Sequence, residues 1–115
     1  MTTSQLRIYT ILDGKMDEWI AGWRDGVVPL RAKHGFRIDG AWVARETNTF
    51  VWILSYDGPE DWNAKNEAYY ASDGRKRLQP DPARLIASVE ERFVTPVSID
   101  TRPDTVSRRG GKRTG

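Results

Sequence analysis

The period of the apolar residues changes along this chain in the order strand, helix, strand, strand, helix, strand, and few folds give such an order one shared core. Residues 5–12, QLRIYTIL, are apolar on both alternating faces, as a strand buried on two sides requires. Asp13-Gly14 ends the strand, and Asp13 is placed to cap a helix whose first turn carries Asp17 and Glu18. Met16, Trp19, Ile20, Trp23, Val27 and Leu30 then recur three and four apart, one apolar stripe along a helix of about five turns. Pro29 should bend that helix, because it removes a backbone donor and crowds the preceding turn. Arg31, Lys33 and His34 crowd the last turn, where cations satisfy terminal carbonyls, and Gly35 supplies the left-handed residue that stops it.

Two strands follow, at 36–46 and 49–56, joined by Thr47-Asn48 as a tight hairpin turn and therefore antiparallel. The second is apolar on both faces and reads as central. The first alternates with Arg37, Asp39 and Arg45, as an edge strand does. Asp57-Gly58-Pro59 opens a second helix, with Trp62, Asn66, Tyr69 and Tyr70 on one face. Ser72-Asp73-Gly74 breaks it, a short helical turn runs to Leu78, and Pro80-Asp81-Pro82 forms a rigid loop. A last strand spans 85–94. The fold expected is α+β: a ferredoxin-like βαββαβ domain over residues 1–96, a four-stranded antiparallel sheet with both helices on one face. The strands are apolar on the other face too. A homodimer packed sheet against sheet would cover it.

The chain lacks cysteine and has a single histidine, which removes disulfides, thiol chemistry, Cys-containing zinc sites and any multi-His metal site within one chain. No apolar run reaches the roughly 18 residues of a membrane span, and the N-terminus has no signal-peptide pattern, so a cytoplasmic location is expected. Of the 18 Lys and Arg, five (Arg102, Arg108, Arg109, Lys112, Arg113) lie after residue 96, leaving 13 basic against 14 acidic groups in residues 1–96. The basic pI belongs to the tail, residues 97–115, expected to be disordered. A nucleic-acid partner is therefore not expected.

Three stretches, LRIYTILDGKMDEWIAGW, VVPLRAKHGFRIDGAW and FVWILSYDGPEDW, resemble in order and spacing the NIPSNAP family, a branch of the dimeric α/β-barrel superfamily, over roughly residues 5–96. The resemblance implies a homodimer whose two sheets form a barrel. Its wider superfamily includes cofactor-free oxygenases, polyketide cyclases, haem-degrading oxygenases and plain ligand binders. Relatives that hold haem carry a histidine on the second helix, and none lies there in this sequence. Trp52 stands where the eukaryotic members would be expected to carry histidine, so no role is transferred from them.

The function expected is binding or transforming a hydrophobic, aromatic or polyketide-like small molecule without metal or organic cofactor. Tyr69, Tyr70, Asn66 and His34 are the candidate acid, base and oxyanion groups. Trp62, Tyr9, Trp52 and Tyr56 are candidate substrate contacts. Arg7 and Arg37 lie on strands, where an inward guanidinium could grip a carboxylate. The alternative is a non-catalytic homodimeric binding or interaction module, with the aromatics as core. A pocket on the helix–sheet seam with Asn66 lacking a protein partner would favour the first reading; a filled seam with Asn66 satisfied would favour the second.

Overall fold

A computed structural model describes residues 2–100. The elements are β1 (Thr3–Ile11), α1 (Met16–Gly22), a π-helical turn (Trp23–Val27), α2 (Val28–Lys33), β2 (Phe36–Ala44), β3 (Thr49–Tyr56), α3 (Trp62–Ala71), α4 (Asp73–Lys76) and β4 (Ile86–Val94). Short 3-10 turns occupy Arg45–Thr47 and Pro82–Leu85. The strands form one antiparallel sheet in the order β2-β3-β1-β4, so β2 and β4 are edges and β3 and β1 central.

The two-residue period of β1 sorts its side chains cleanly. Gln5, Arg7, Tyr9 and Ile11 are buried on the helix face, and Leu6 and Ile8 are half-buried on the other. On β3 the helix face carries Phe50, Trp52, Leu54 and Tyr56, all buried, against half-buried Val51 and Ile53 beneath. Each large buried side chain of this kind contributes roughly 1.5–3 kcal/mol. Trp19 and Trp23 lie edge-on to Phe50, and Trp23 also to Trp52, tying the first helix to the sheet. Pairing sets Trp42 beside Val51, on the sheet face that carries no helix, where it is 57% exposed.

Pro29 does not end the first helix; the chain stays helical from Met16 to Lys33. A proline ring collides with the carbonyl four residues back, and a wider turn relieves this. The π turn supplies it, with the Val28 N–H reaching back five residues to the Trp23 carbonyl. Gly35 adopts φ 90°, the left-handed stop expected after α2.

Three local expectations are corrected. Asp13 does not cap α1; its carboxylate accepts from the Asn48 amide at 2.6 Å, and Lys15 occupies the cap position without a side-chain bond. The β2–β3 connection is not a two-residue turn: Arg45–Thr47 form a 3-10 turn and Asn48, at φ 53°, closes it. The second helix starts later than Asp57-Gly58-Pro59, at Trp62, because Asp61 makes the capping bond to the Ala64 N–H at 3.1 Å, whereas the Asp57 carboxylate is held by Arg37. Of the tail, residues 97–100 carry no helix or strand, and the rest, including the five basic residues named above, lies outside the described residues. Among the described residues no helix is long and apolar enough to cross a membrane.

Candidate functional site

The helix–sheet seam has a charged centre. Arg7 reaches it from β1 and Arg31 from α2, and each is only 1% exposed. Position 31 continues the stripe one helical turn past Val27, so its side chain turns toward the sheet and not to the carbonyls of the last turn. On sequence the stripe ends at Leu30, and Arg31 is only one of the basic residues that crowd the last turn. The i+4 spacing from Val27 was the signal that could have found it.

The two guanidiniums share one acceptor. Asn66 Oδ1, on α3, receives Arg31 Nη1 at 2.9 Å and Arg7 Nη2 at 3.3 Å. Arg7 also donates through Nε to Gln5 Oε1 at 2.8 Å and through Nη1 to the hydroxyls of Tyr9 at 3.1 Å and Tyr70 at 3.2 Å. Across the sheet, Glu91 on β4 faces Arg7 in register and approaches it to 3.6 Å. Arg31 is held differently. Its guanidinium carbon lies 3.7 Å from the Tyr69 ring centre and 4.8 Å from that of Phe36. Such stacking is worth about 2 kcal/mol when desolvated and fixes the plane of the fork. Four buried polar atoms on this wall have no hydrogen-bond partner in the protein: Arg31 Nε, the Tyr69 hydroxyl and the indole Nε1 of Trp19 and Trp52.

The cluster pulls its ionisable groups apart. Burial lowers Arg31 to about 10, helped by Arg7 and opposed by the surrounding tyrosines. Burial also works against the charge on Arg7, but the phenol oxygens of Tyr9 and Tyr70 outweigh it and raise its pKa. Burial lifts Tyr9 and Tyr69 above the usual phenol range. It pushes Tyr70 the same way, yet Arg7 and Arg31 together more than reverse it, so Tyr70 is the more acidic phenol. A phenol that accepts from an arginine keeps its own proton to donate. The centre is therefore rich in donors and poor in acceptors.

A hollow of about 60 Å³ opens on this wall, lined by Tyr9, Trp19, Arg31, Trp52, Tyr69 and Tyr70 with Pro82 and Ile86 at its margin. Outside it a wider depression of about 360 Å³ is bounded by Tyr70, Arg75, Lys76, Gln79 and Asp81. Tyr70 and Arg75 line both. Arg75 is fixed by Asp81 at 3.0 Å, and Asp81 in turn caps the Pro82–Leu85 turn through the Ala83 N–H at 2.9 Å.

Of the residues singled out from sequence, Tyr9, Trp52, Asn66, Tyr69 and Tyr70 meet at this centre. Tyr56 and Trp62 lie apart from it. The Tyr56 hydroxyl donates to Glu60, and Trp62 is packed between Phe36 and Phe93. His34 stands edge-on to the Tyr69 ring, 5.6 Å between centres, and burial with Lys65, Arg31 and Lys33 lowers its pKa. Arg37 turns outward to Asp39 and Asp57.

The NIPSNAP family model matches residues 4–100. The chain belongs to the NIPSNAP family. Among solved structures, a NIPSNAP domain protein from Burkholderia xenovorans is similar at 21% identity, with 89% of this chain and 100% of that one covered and a TM-score of 0.72. A NIPSNAP family protein from Agrobacterium tumefaciens shares 21% identity over 86% of this chain and 96% of its own, with a TM-score of 0.74. A candidate antibiotic biosynthesis monooxygenase from Nitrosomonas europaea, at 9% identity, aligns over 87% of this chain and 94% of its own with a TM-score of 0.63, which shows a shared fold. No curated protein matches the NIPSNAP chain in sequence.

Proposed function

We propose that this protein binds, and in its catalytic form transforms, a hydrophobic aromatic or polyketide-like small molecule on the helix–sheet seam, using its own side chains as acid, base and oxyanion donors. The observation that carries the reading is a polar centre in which half-buried Asn66 joins the buried guanidiniums of Arg7 and Arg31, with buried Tyr9 and Tyr69 and the exposed Tyr70, set in an aromatic wall that opens onto a hollow. A site made of a few convergent polar groups on an apolar wall is what orients a small guest. The chemistry that suits it is proton transfer, or oxygenation of an enolate with dioxygen as the oxidant, with Tyr70 moving the proton and the remaining phenol hydroxyls steadying the oxyanion. The monooxygenase-like fold neighbour lends the oxygenation variant some support. His34 serves as a proton relay from behind Tyr69. Trp62 and Tyr56 keep the far end of the seam closed. The working unit is a cytoplasmic homodimer, its second copy covering the uncovered sheet face.

One observation favours the alternative of a non-catalytic binding or interaction module: Asn66 already has two protein partners. Those partners are cations, though, and Arg31 has no carboxylate of its own among the described residues. Native mass spectrometry of protein purified from its own host tests the reading. A bound aromatic compound, released on denaturation, is the expected result; bare protein at every preparation scale contradicts it.

A further inference from the structure

The charges around the seam do not balance, and the imbalance sits at one place. Arg7 has Glu91 at 3.6 Å, and Arg75 has Asp81 at 3.0 Å. Arg31, buried to the same degree as Arg7, has no acidic side chain within ion-pairing distance among the described residues; its neighbours are the Asn66 amide and the rings of Tyr69, Tyr70 and Phe36. A buried cation is expected to have a counter-charge or enough hydrogen-bond acceptors. Asn66 offers Arg31 one oxygen and shares it with Arg7. The Arg31 Nε and the Tyr69 hydroxyl are left without partners, and both residues line the hollow.

The size of the space narrows what could fill it. At about 60 Å³ the hollow is well below the roughly 150 Å³ of a cavity that accepts benzene. It takes a head group and not a ring. The outer depression, about 360 Å³, has room for a ring, and Lys76 and Arg75 stand at its rim. With Arg75 paired to Asp81 on the same lining, Lys76 is the net positive charge an entering guest meets before the donor-rich hollow.

We propose that the hollow is the subsite for a single carboxylate on an aromatic guest, gripped by Arg31 and by the hydroxyls of Tyr9, Tyr69 and Tyr70, with the ring lodged in the outer depression. This deepens the seam-binding reading and rests on it. Carboxylate is preferred to phosphate because one unpaired cation asks for one negative charge, and a phosphate monoester brings nearly two. Arg7 acts as a positioning residue: its Nη1 holds the oxygens of Tyr9 and Tyr70, leaving their protons to donate into the hollow.

The test is calorimetric titration of the full chain at neutral pH with matched pairs, benzoate and benzamide, 1-naphthoate and 1-naphthamide, together with 1-naphthyl phosphate. The acid of at least one pair should bind roughly tenfold or more tighter than its amide, the ratio that one charge-assisted hydrogen bond sustains. Arg31→Met should bring the acid and amide of that pair to parity. Should that variant not fold, Arg31→Lys keeps the charge and loses the fork, and the acid should still weaken. Equal binding of acid and amide to the wild-type protein overturns the carboxylate subsite and leaves seam binding intact. Tighter binding of the phosphate ester overturns the single-charge assignment. Failure of all five compounds to bind overturns the subsite and counts against the seam reading as well.

Discussion

Asn66 and Arg31 touch, yet their removal should have opposite consequences for stability. Asn66→Ala leaves two buried guanidiniums with an unmet donor each, at a cost of about 1.5–3 kcal/mol for a hydrogen bond to a charged group. Arg31→Met removes the buried charge itself and keeps the apolar stem, a change that in other proteins is neutral or stabilising. Urea unfolding of the two variants checks this: the midpoint should fall for the first and not for the second, and the reverse order would mean that Arg31 is a structural cation. His34 gives a second residue-scale prediction. Burial and its three cationic neighbours set its folded pKa below the unfolded value of 6.5. The unfolded chain then binds the proton more readily. His34 therefore contributes stability that is present above pH 6.5 and lost as the pH falls through the folded pKa. As the sequence holds one histidine, its NMR titration needs no assignment, and a midpoint at or above the free value would contradict the placement.

At the scale of elements, the site depends on how α3 is started. Asp61 fixes the first turn, and that turn sets the angle at which Asn66, Tyr69 and Tyr70 face the sheet. Asp61→Ala should cost about 1 kcal/mol, the usual worth of such a cap. In a domain near 100 residues this lowers the thermal midpoint by roughly 4–8 °C. An unchanged midpoint in calorimetry would show that packing alone holds α3. The strands and their order were legible because period two and period three-to-four are set by backbone geometry, and β3, apolar on both faces, announced itself as central. Helix starts were less legible. Asp13, Asp57 and Asp61 are equally good caps on paper, and only tertiary partners, Asn48 for the first and Arg37 for the second, leave Asp61 free to act. Five of the eight residues proposed for the site converge because they lie on inward faces of β1, β3 and α3. Arg31 was missed for a chemical reason: its i+4 spacing from Val27 continues the apolar stripe, but a cation in a last turn ordinarily faces carbonyls or solvent.

On the scale of the whole molecule, helices cover one side of the sheet and leave the other to Leu6, Ile8, Val51, Ile53 and an exposed Trp42. A second copy laid sheet to sheet removes that surface from water. Analytical ultracentrifugation at micromolar concentration should give twice the 13.1 kDa chain mass, and Trp42→Glu should shift it toward one. A single-chain mass for the wild-type protein would refute the dimer without touching the seam. On the proposed function the two faces have separate duties, assembly below and guest above, and tryptophans on each face report on them separately. Trp52 and Trp19 line the hollow, whereas Trp42 lies on the opposite side of the sheet. Their indole N–H signals in a ¹⁵N NMR titration with 1-naphthoate test the account most directly. The prediction is that Trp52 and Trp19 shift in saturable fashion while Trp42 stays fixed; movement of Trp42 with Trp52 and Trp19 unchanged would contradict it.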